Sequence, residues 1–295
     1  MKANATCIAC LLNKQEKNIR PFQDEKKKSD YLHEVLKLLY EHGQSHSSPW
    51  LFMKIEEIYS KYYEPIMDYP AIKHKYNQFM LSKEPVIEAN IRKADDIIAS
   101  CIQYVCAGNY IDFGAMSKVD DSILDQMLCK AQSETVPADQ LSLFKSELAP
   151  AKTLVYLTDN CGEIVMDKLF IKILKEEYPD LAITVIVRGG LALNDATMED
   201  ADEVGLTNLV PCIGNGSKLT GTDLCGINEE SRNALMNADI IISKGQGNFE
   251  GLYGEGLQPY FLFLCKCELF VRRFGLKQFS SVFAREDHIH IVSGE

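Results

Sequence analysis

The chain has 295 residues and a mass of 33.2 kDa, about two domains' worth at the usual ~150 residues each. An apolar fraction of 46% and a charged fraction of 25% are ordinary globular values and exclude disordered or collagen-like architecture. The formal net charge of −11, from 31 basic and 42 acidic residues, argues against a nucleic-acid partner, which needs a basic face to neutralise phosphates.

The acidic excess is concentrated after residue 150, where 13 basic residues stand against 21 acidic ones. An anionic substrate handled there must be neutralised locally, by a metal ion or by a few placed lysines and arginines. No apolar run approaches the ~18–20 residues that span a bilayer. The segment Met1–Cys7 has no apolar stretch of roughly 7–15 residues, as a secretory signal requires. A soluble, cytoplasmic protein without a membrane partner is expected, its ten cysteines reduced. Cys7-Ile-Ala-Cys10 has redox or metal spacing, but a redox pair of this kind follows a strand, and only six residues precede Cys7. Cys101 with Cys106 and Cys265 with Cys267 do not complete a zinc spacing. Simple burial as small apolar side chains is the competing reading.

In chain order, Lys26-Lys27-Lys28, flanked by Asp24, Glu25 and Asp30, reads as a solvated helix start. Residues ~30–148 read as mainly helical. Leu32, Val35, Leu36 and Leu39 form one apolar face. Ser48 is the expected cap of a helix whose first residue is Pro49 and which runs to about Tyr63. A further long helix is expected from about Pro85 to Ala107, closed by Gly108 as a C-cap, and a short one around Leu124, Met127 and Leu128. Near residue 150 the period changes. Thr153–Leu157, Ile183–Val187, Ile240–Ile242 and Phe261–Leu264 are short apolar strands, separated by helical patterns such as Ile164–Glu177 and Leu269–Phe274. Continuous apolar strands alternating with helices imply a mainly parallel sheet covered on both faces. The expected fold is α/β: a helical region over residues 1–148, then a Rossmann-like three-layer α/β/α domain over residues 149–295.

Ligands of open α/β sheets bind outside the carboxyl ends of the strands. Three of the four strands end in polar loops: Thr158-Asp159-Asn160-Cys161-Gly162-Glu163; Arg188-Gly189-Gly190 with Asn194-Asp195 close behind; and Ser243-Lys244-Gly245-Gln246-Gly247-Asn248. Parallel strands would bring all three to one edge. Each loop also has a purely structural reading. Asn160 and Glu163 are spaced as a capping box, Asp195 suits a turn or cap, and Gly245 and Gly247 suit a tight turn. Asp159, Asn160 and Asp195 supply hard oxygen ligands suited to Mg²⁺ or Mn²⁺, with Co²⁺ or Ni²⁺ also able to bind. Lys244, followed by glycines that let backbone N–H groups approach closely, suits a phosphate. Metal-assisted phosphate ester hydrolysis is the chemistry this set offers. Glu250 stands where a dinucleotide fingerprint needs its third glycine. Asp159-Asn160-Cys161 lacks the second aspartate of phosphoaspartate phosphatases. No HExxH is present, and His288 and His290 alternate in a strand-like run that suits a structural role.

These loops resemble the metal-dependent damage-control phosphatase family, long classed as a domain of unknown function. The resemblance runs over most of the chain through Cys7-x-x-Cys10, Gly108-Asn109-Tyr110-Ile111-Asp112-Phe113, Asp159-Asn160-x-Gly162-Glu163, Arg188-Gly189, Asn194-Asp195 and Lys244-Gly245-Gln246-Gly247-Asn248. The paired cysteines look like the stand-alone prokaryotic branch. The resemblance implies that Asp159, Asn160 and Asp195 bind a divalent metal and that Lys244 contacts substrate phosphate. Asn109 and Asp112 would then be pocket residues, with Glu163, Arg188 and Asn248 supporting them. Cys161 stands where relatives often carry alanine, which would make metal binding or activity sensitive to oxidation. The implied activity is hydrolysis of damaged or surplus phosphometabolites, such as sugar phosphates or phosphopantetheine derivatives. Two other classes remain open: a metal and phosphometabolite binding protein without turnover, and a methyltransferase, for which the usual glycine-rich loop after the first strand is missing.

Overall fold

The computed structural model describes residues 1–112 and 119–291. Seven helices come first: α1 (Ala5–Ile19), α2 (Glu25–His42), α3 (Ser48–Tyr62), α4 (Tyr69–Ile91), α5 (Ile97–Gly108), α6 (Asp121–Lys130) and α7 (Ala138–Leu148). The sheet region follows as β1 (Thr153–Leu157), α8 (Glu163–Glu177), β2 (Ala182–Val187), α9 (Met198–Glu203), β3 (Cys212–Gly214), α10 (Glu229–Met236), β4 (Ile240–Lys244), α11 (Gly245–Leu252), β5 (Tyr260–Leu264), α12 (Glu268–Phe274) and β6 (Ser281–Arg285).

Helix starts follow local capping chemistry. Asp24 accepts from the Lys27 amide at the head of α2, so the lysine triplet does open a solvated helix. Helix α3 is capped by Ser47, one residue before the expected Ser48, with Pro49 inside the first turn. The single helix expected over Pro85–Ala107 is two helices. Asp68 caps α4, which carries Pro85 within it and ends at Ile91, and Asp96 caps α5. Ile87 and Ile91 share an apolar phase with Ile98 and Ile102, and all four lie in one core, so the periodicity hides the break. Helix α1 escapes the sequence reading because its inward row, Cys7, Leu11, Gln15 and Ile19, carries a glutamine bonded by Tyr31. Cys7 on this helix is buried and Cys10 exposed, both free thiols.

The sheet order is β3-β2-β1-β4-β5-β6, parallel except for the last strand, β6, which pairs antiparallel with β5. The edge strands β3 and β6 were not legible. The first has three half-buried residues, and the second buries the adjacent Val282 and Phe283 between half-buried neighbours, without alternation. The C-terminal strand lies at Ser281–Arg285, before His288; Glu286–His288 is a 3-10 turn. Chain order reverses between β1 and β4, which opens the crevice where such sheets bind ligands.

Alternation along the strands builds two cores. Leu154, Tyr156, Ile240, Ile242, Leu262 and Leu264 face α4, α5 and α8, while Val155, Leu157, Ile241, Phe261 and Phe263 face α11 and α12. The larger core runs without a break from α5 into β1 and α8. Gly108, expected as a C-cap, serves close approach instead. A Cβ there would lie 3.3 Å from Met166 Cγ and 3.6 Å from the Glu163 Cα. The end of α5 therefore sits directly on the first turn of α8, and this brings the next residue, Asn109, to the carboxyl edge of the sheet.

Candidate active site

The loop after β1 is zipped to the loop after β2. Asn160 and Asp195 form an antiparallel bridge, Cys161 N–H donates to Asn194 O, and Ala196 N–H donates to Asp159 O. Leu193 takes a left-handed φ of 50° just before Asn194. Asn194 in turn donates to Asn160 Oδ1 at 3.0 Å. The capping box suggested by Asn160 and Glu163 is only half present: Glu163 accepts from the Asn160 amide, but no side chain caps α8. The Asn160 amide is turned instead onto Asp159 Oδ2 (2.7 Å) and Glu163 Oε2 (3.0 Å).

Asn109 reaches the same carboxylates from α5. Its Oδ1 accepts from Leu264 N–H of β5 at 3.0 Å, which forces its Nδ2 toward Asp159 Oδ2 (3.0 Å) and Glu163 Oε2 (2.9 Å). Arg188, only 1% exposed, donates from Nε to Asp195 Oδ2 at 2.6 Å and from Nη1 to Asn248 Oδ1 at 3.0 Å, with Nη2 3.7 Å from Asp159. Asn248 ties β1 to β4 through Thr158 O and Lys244 O. The structure thus gathers Asn109, Asp159, Asn160, Glu163, Arg188, Asp195 and Asn248 into one buried, hydrogen-bonded set. Asp112 joins it through Lys266, whose Nζ lies 2.6 Å from Asp112 Oδ2.

Lys244 is where the expectation changes. Its side chain is fully buried, and the ammonium is held between Glu163 and Asp167, 3.0 Å from Asp167 Oδ1. On β4 it continues the row of Ile240 and Ile242, so it points at α8 and not out of the sheet edge. Burial alone would lower its affinity for a proton, but Asp167 and Glu163 overcome this and hold it above the usual lysine range. The cation that faces Asp112 and Asp159 is Lys266, just past β5. Sequence reasoning read this segment only as a cysteine pair. The strand-end rule applied to all four strands would have found it.

Gly245 is required by its surroundings. Its φ is 81°, and a Cβ would stand 2.0 Å from Asp159 Oδ2. Gly245→Ala is expected to displace the Asp159 carboxylate and to cost about 1–3 kcal/mol of stability, as strained backbone does. Thermal unfolding of the variant checks this, and a midpoint equal to that of wild type would show the loop to be pliable. Cys161 is fully enclosed, and burial pushes its thiol well above the usual range, so the expected sensitivity to oxidation has no reactive thiolate behind it.

Among the described residues the ion pairs of this set join five carboxylates (Asp112, Asp159, Glu163, Asp167, Asp195) to three cations (Arg188, Lys244, Lys266), two more carboxylates than cations. Burial, then the charges of Asp195 and Glu163, push the Asp159 carboxyl well above its usual range. Burial pushes Asp195 up to about 6 despite Arg188. Among the described residues no three His, Cys, Asp or Glu side chains are grouped to hold a metal ion. A cation here would therefore take Asn160 Oδ1 beside Asp159 and Asp195. That hard-oxygen set, with an unbalanced charge of −2, fits a divalent ion of the magnesium or manganese type.

Comparison with known proteins identifies the family. Residues 3–282 match the model of the damage-control phosphatase ARMT1-like domain. The chain is 30% identical over 286 residues to a damage-control phosphatase of Archaeoglobus fulgidus, covering 94% of this chain and 96% of that one. It is 30% identical over 210 residues to damage-control phosphatase PH1575 of Pyrococcus horikoshii, covering 66% and 72%. The crystal structure of PH1575, described as a DUF89 family protein, superposes with a TM-score of 0.76 at 25% identity, over 97% of this chain and 99% of that one. The family match spans nearly the whole chain, and the chain belongs to the ARMT1-like damage-control phosphatase family.

Proposed function

We propose that this protein is a metal-dependent phosphatase that hydrolyses small phosphorylated metabolites in the cytoplasm, damaged or surplus sugar phosphates or phosphopantetheine-like compounds among them. The observation that carries the reading is the buried surplus of two negative charges around Asp159, Asn160 and Asp195 at the reversal point of the sheet. The relatives named as damage-control phosphatases support it. Among the described residues no helix is long and apolar enough to cross a membrane.

Asp159, Asn160 and Asp195 would hold the ion, which when bound polarises phosphoryl oxygens and favours deprotonation of an attacking water. Arg188 orients Asp195, while Asn109 and Asn160 orient Asp159. Lys266, a buried ammonium paired with the partly exposed Asp112, would meet the phosphate, with Asp112 aligning it. Lys244 would act one layer further in, by anchoring Glu163. Phosphate release should be measured on a panel of sugar phosphates and phosphopantetheine, first metal-stripped and then with Mg²⁺, Mn²⁺, Co²⁺ or Ni²⁺ restored. Turnover that appears only with metal is the expected result. Metal binding with no turnover on any substrate would favour a non-catalytic binding protein.

A further inference from the structure

Beneath the proposed metal site lies a chain of buried polar groups that meets the ion ligands only at its Glu163 end. Tyr156 in the middle of β1 donates its hydroxyl to Asp167 Oδ1 at 2.7 Å. Lys244 donates to the same oxygen at 3.0 Å and to Glu163 on the other side. Glu163 then receives the Asn109 and Asn160 amides, which also hold Asp159. All of these groups are buried, and among the described residues Asp167 Oδ2 has no hydrogen-bond partner. Such an orphaned oxygen in a dry core carries a desolvation cost that packing alone does not explain.

The pairing has an electrostatic logic. Lys244 is shared between two carboxylates, so Asp167 cancels half of what Lys244 would otherwise impose on Glu163 and Asp159. Without the Asp167 charge, the ammonium would act in full on the Glu163–Asp159 cluster, and the surplus at the ion site would fall from two negative charges to one. In a dry interior such a charge change is transmitted over several ångströms with little screening. Tyr156 fixes the Asp167 rotamer but carries no charge of its own.

We propose that Asp167 is a positioning residue that sets the divalent-ion affinity of the site by sharing the Lys244 ammonium with Glu163, so that the ligand cluster keeps its charge of −2. The proposal rests on the metal-dependent reading above, and its test is read in ion binding. The affinity of the purified, metal-stripped full chain for Mn²⁺ is measured by calorimetry for wild type, Asp167→Asn, Tyr156→Phe and the double variant Asp167→Asn/Lys244→Met. Asp167→Asn keeps the shape and loses the charge, and should raise the Kd about 10–100-fold, the usual range for groups behind a metal ligand. Tyr156→Phe should change the Kd by less than about threefold. The double variant restores the charge of −2 and should recover most of the wild-type affinity, so the inference stays testable if the single variant does not fold.

A wild-type Kd in Asp167→Asn would overturn the inference, as would equal weakening in Tyr156→Phe, which would mark packing alone. A double variant no tighter than Asp167→Asn would also overturn it. Wild-type protein that binds no Mn²⁺ would instead remove the metal-dependent reading on which the inference stands.

Discussion

Asp159→Asn should lose phosphate release by roughly a thousandfold while the metal-free protein becomes as stable as wild type or more so. The opposite signs have one cause. Asp159 belongs to a buried cluster with two surplus negative charges, and burial with the charges of Asp195 and Glu163 pushes its carboxyl well above the usual range. A carboxyl whose folded-state pKa is raised destabilises the fold when it is ionised, so at neutral pH its neutral replacement removes a cost. The same charge is what a divalent ion would use. Losing it is expected to remove several kcal/mol of transition-state stabilisation, at about 1.4 kcal/mol per factor of ten. Phosphate-release assays and thermal unfolding in EDTA, with and without Mn²⁺, test both halves. Wild type should gain stability with Mn²⁺ and the variant should not. An active Asp159→Asn, or one that unfolds well below wild type without metal, would refute the assignment.

Lys244→Met is expected to have the largest effect on folding. The lysine is fully buried and, among the described residues, is the cation that Glu163 and Asp167 share. Removing one member of a buried ion network leaves the partners uncompensated, at a cost of about 3–5 kcal/mol. For a chain of this size that is a fall in Tm of roughly 10 °C. A residue whose role is to touch substrate phosphate would behave differently, weakening KM with little effect on Tm. For Lys266→Met the balance should reverse: a smaller stability loss, because its partner Asp112 is only partly buried, and a larger loss of activity. If Lys244→Met unfolds at the wild-type temperature with a raised KM, the two lysines must exchange roles.

Much of the architecture was legible because it is set by short-range rules. The four central strands and helices α8 and α12 stand within a residue or two of where periodicity and turn residues put them, since alternation and 3.6-residue spacing are local. Local chemistry also fixed the lysine triplet as a helix head, through the Asp24 cap. Where a local signal was ambiguous, the reading failed. Pro85 looks like a helix start but lies inside α4, because the true start is Tyr69, sixteen residues earlier, capped by Asp68 with Pro70 in the first turn. Strand β3, with three half-buried residues, is too short for alternation to mark it, and β6 buries the adjacent Val282 and Phe283, so it does not alternate.

The polar loops after β1, β2 and β4 were legible in the sequence alone, and the structure gathers Asp159, Asn160, Arg188, Asp195 and Asn248 from them at one edge of the parallel sheet. The partner each cation takes was decided only by the tertiary structure. Lys244 and Lys266 are both lysines at strand ends, and alternation sends both to the face that carries α5 and α8. Their difference arises because β4 lies next to β1 and beneath the first turn of α8, where Glu163 and Asp167 wait, whereas β5 lies one strand further out, under Asn109 and Asp112. Strand order and helix packing are long-range outcomes of burying one shared core, and no window of sequence contains them.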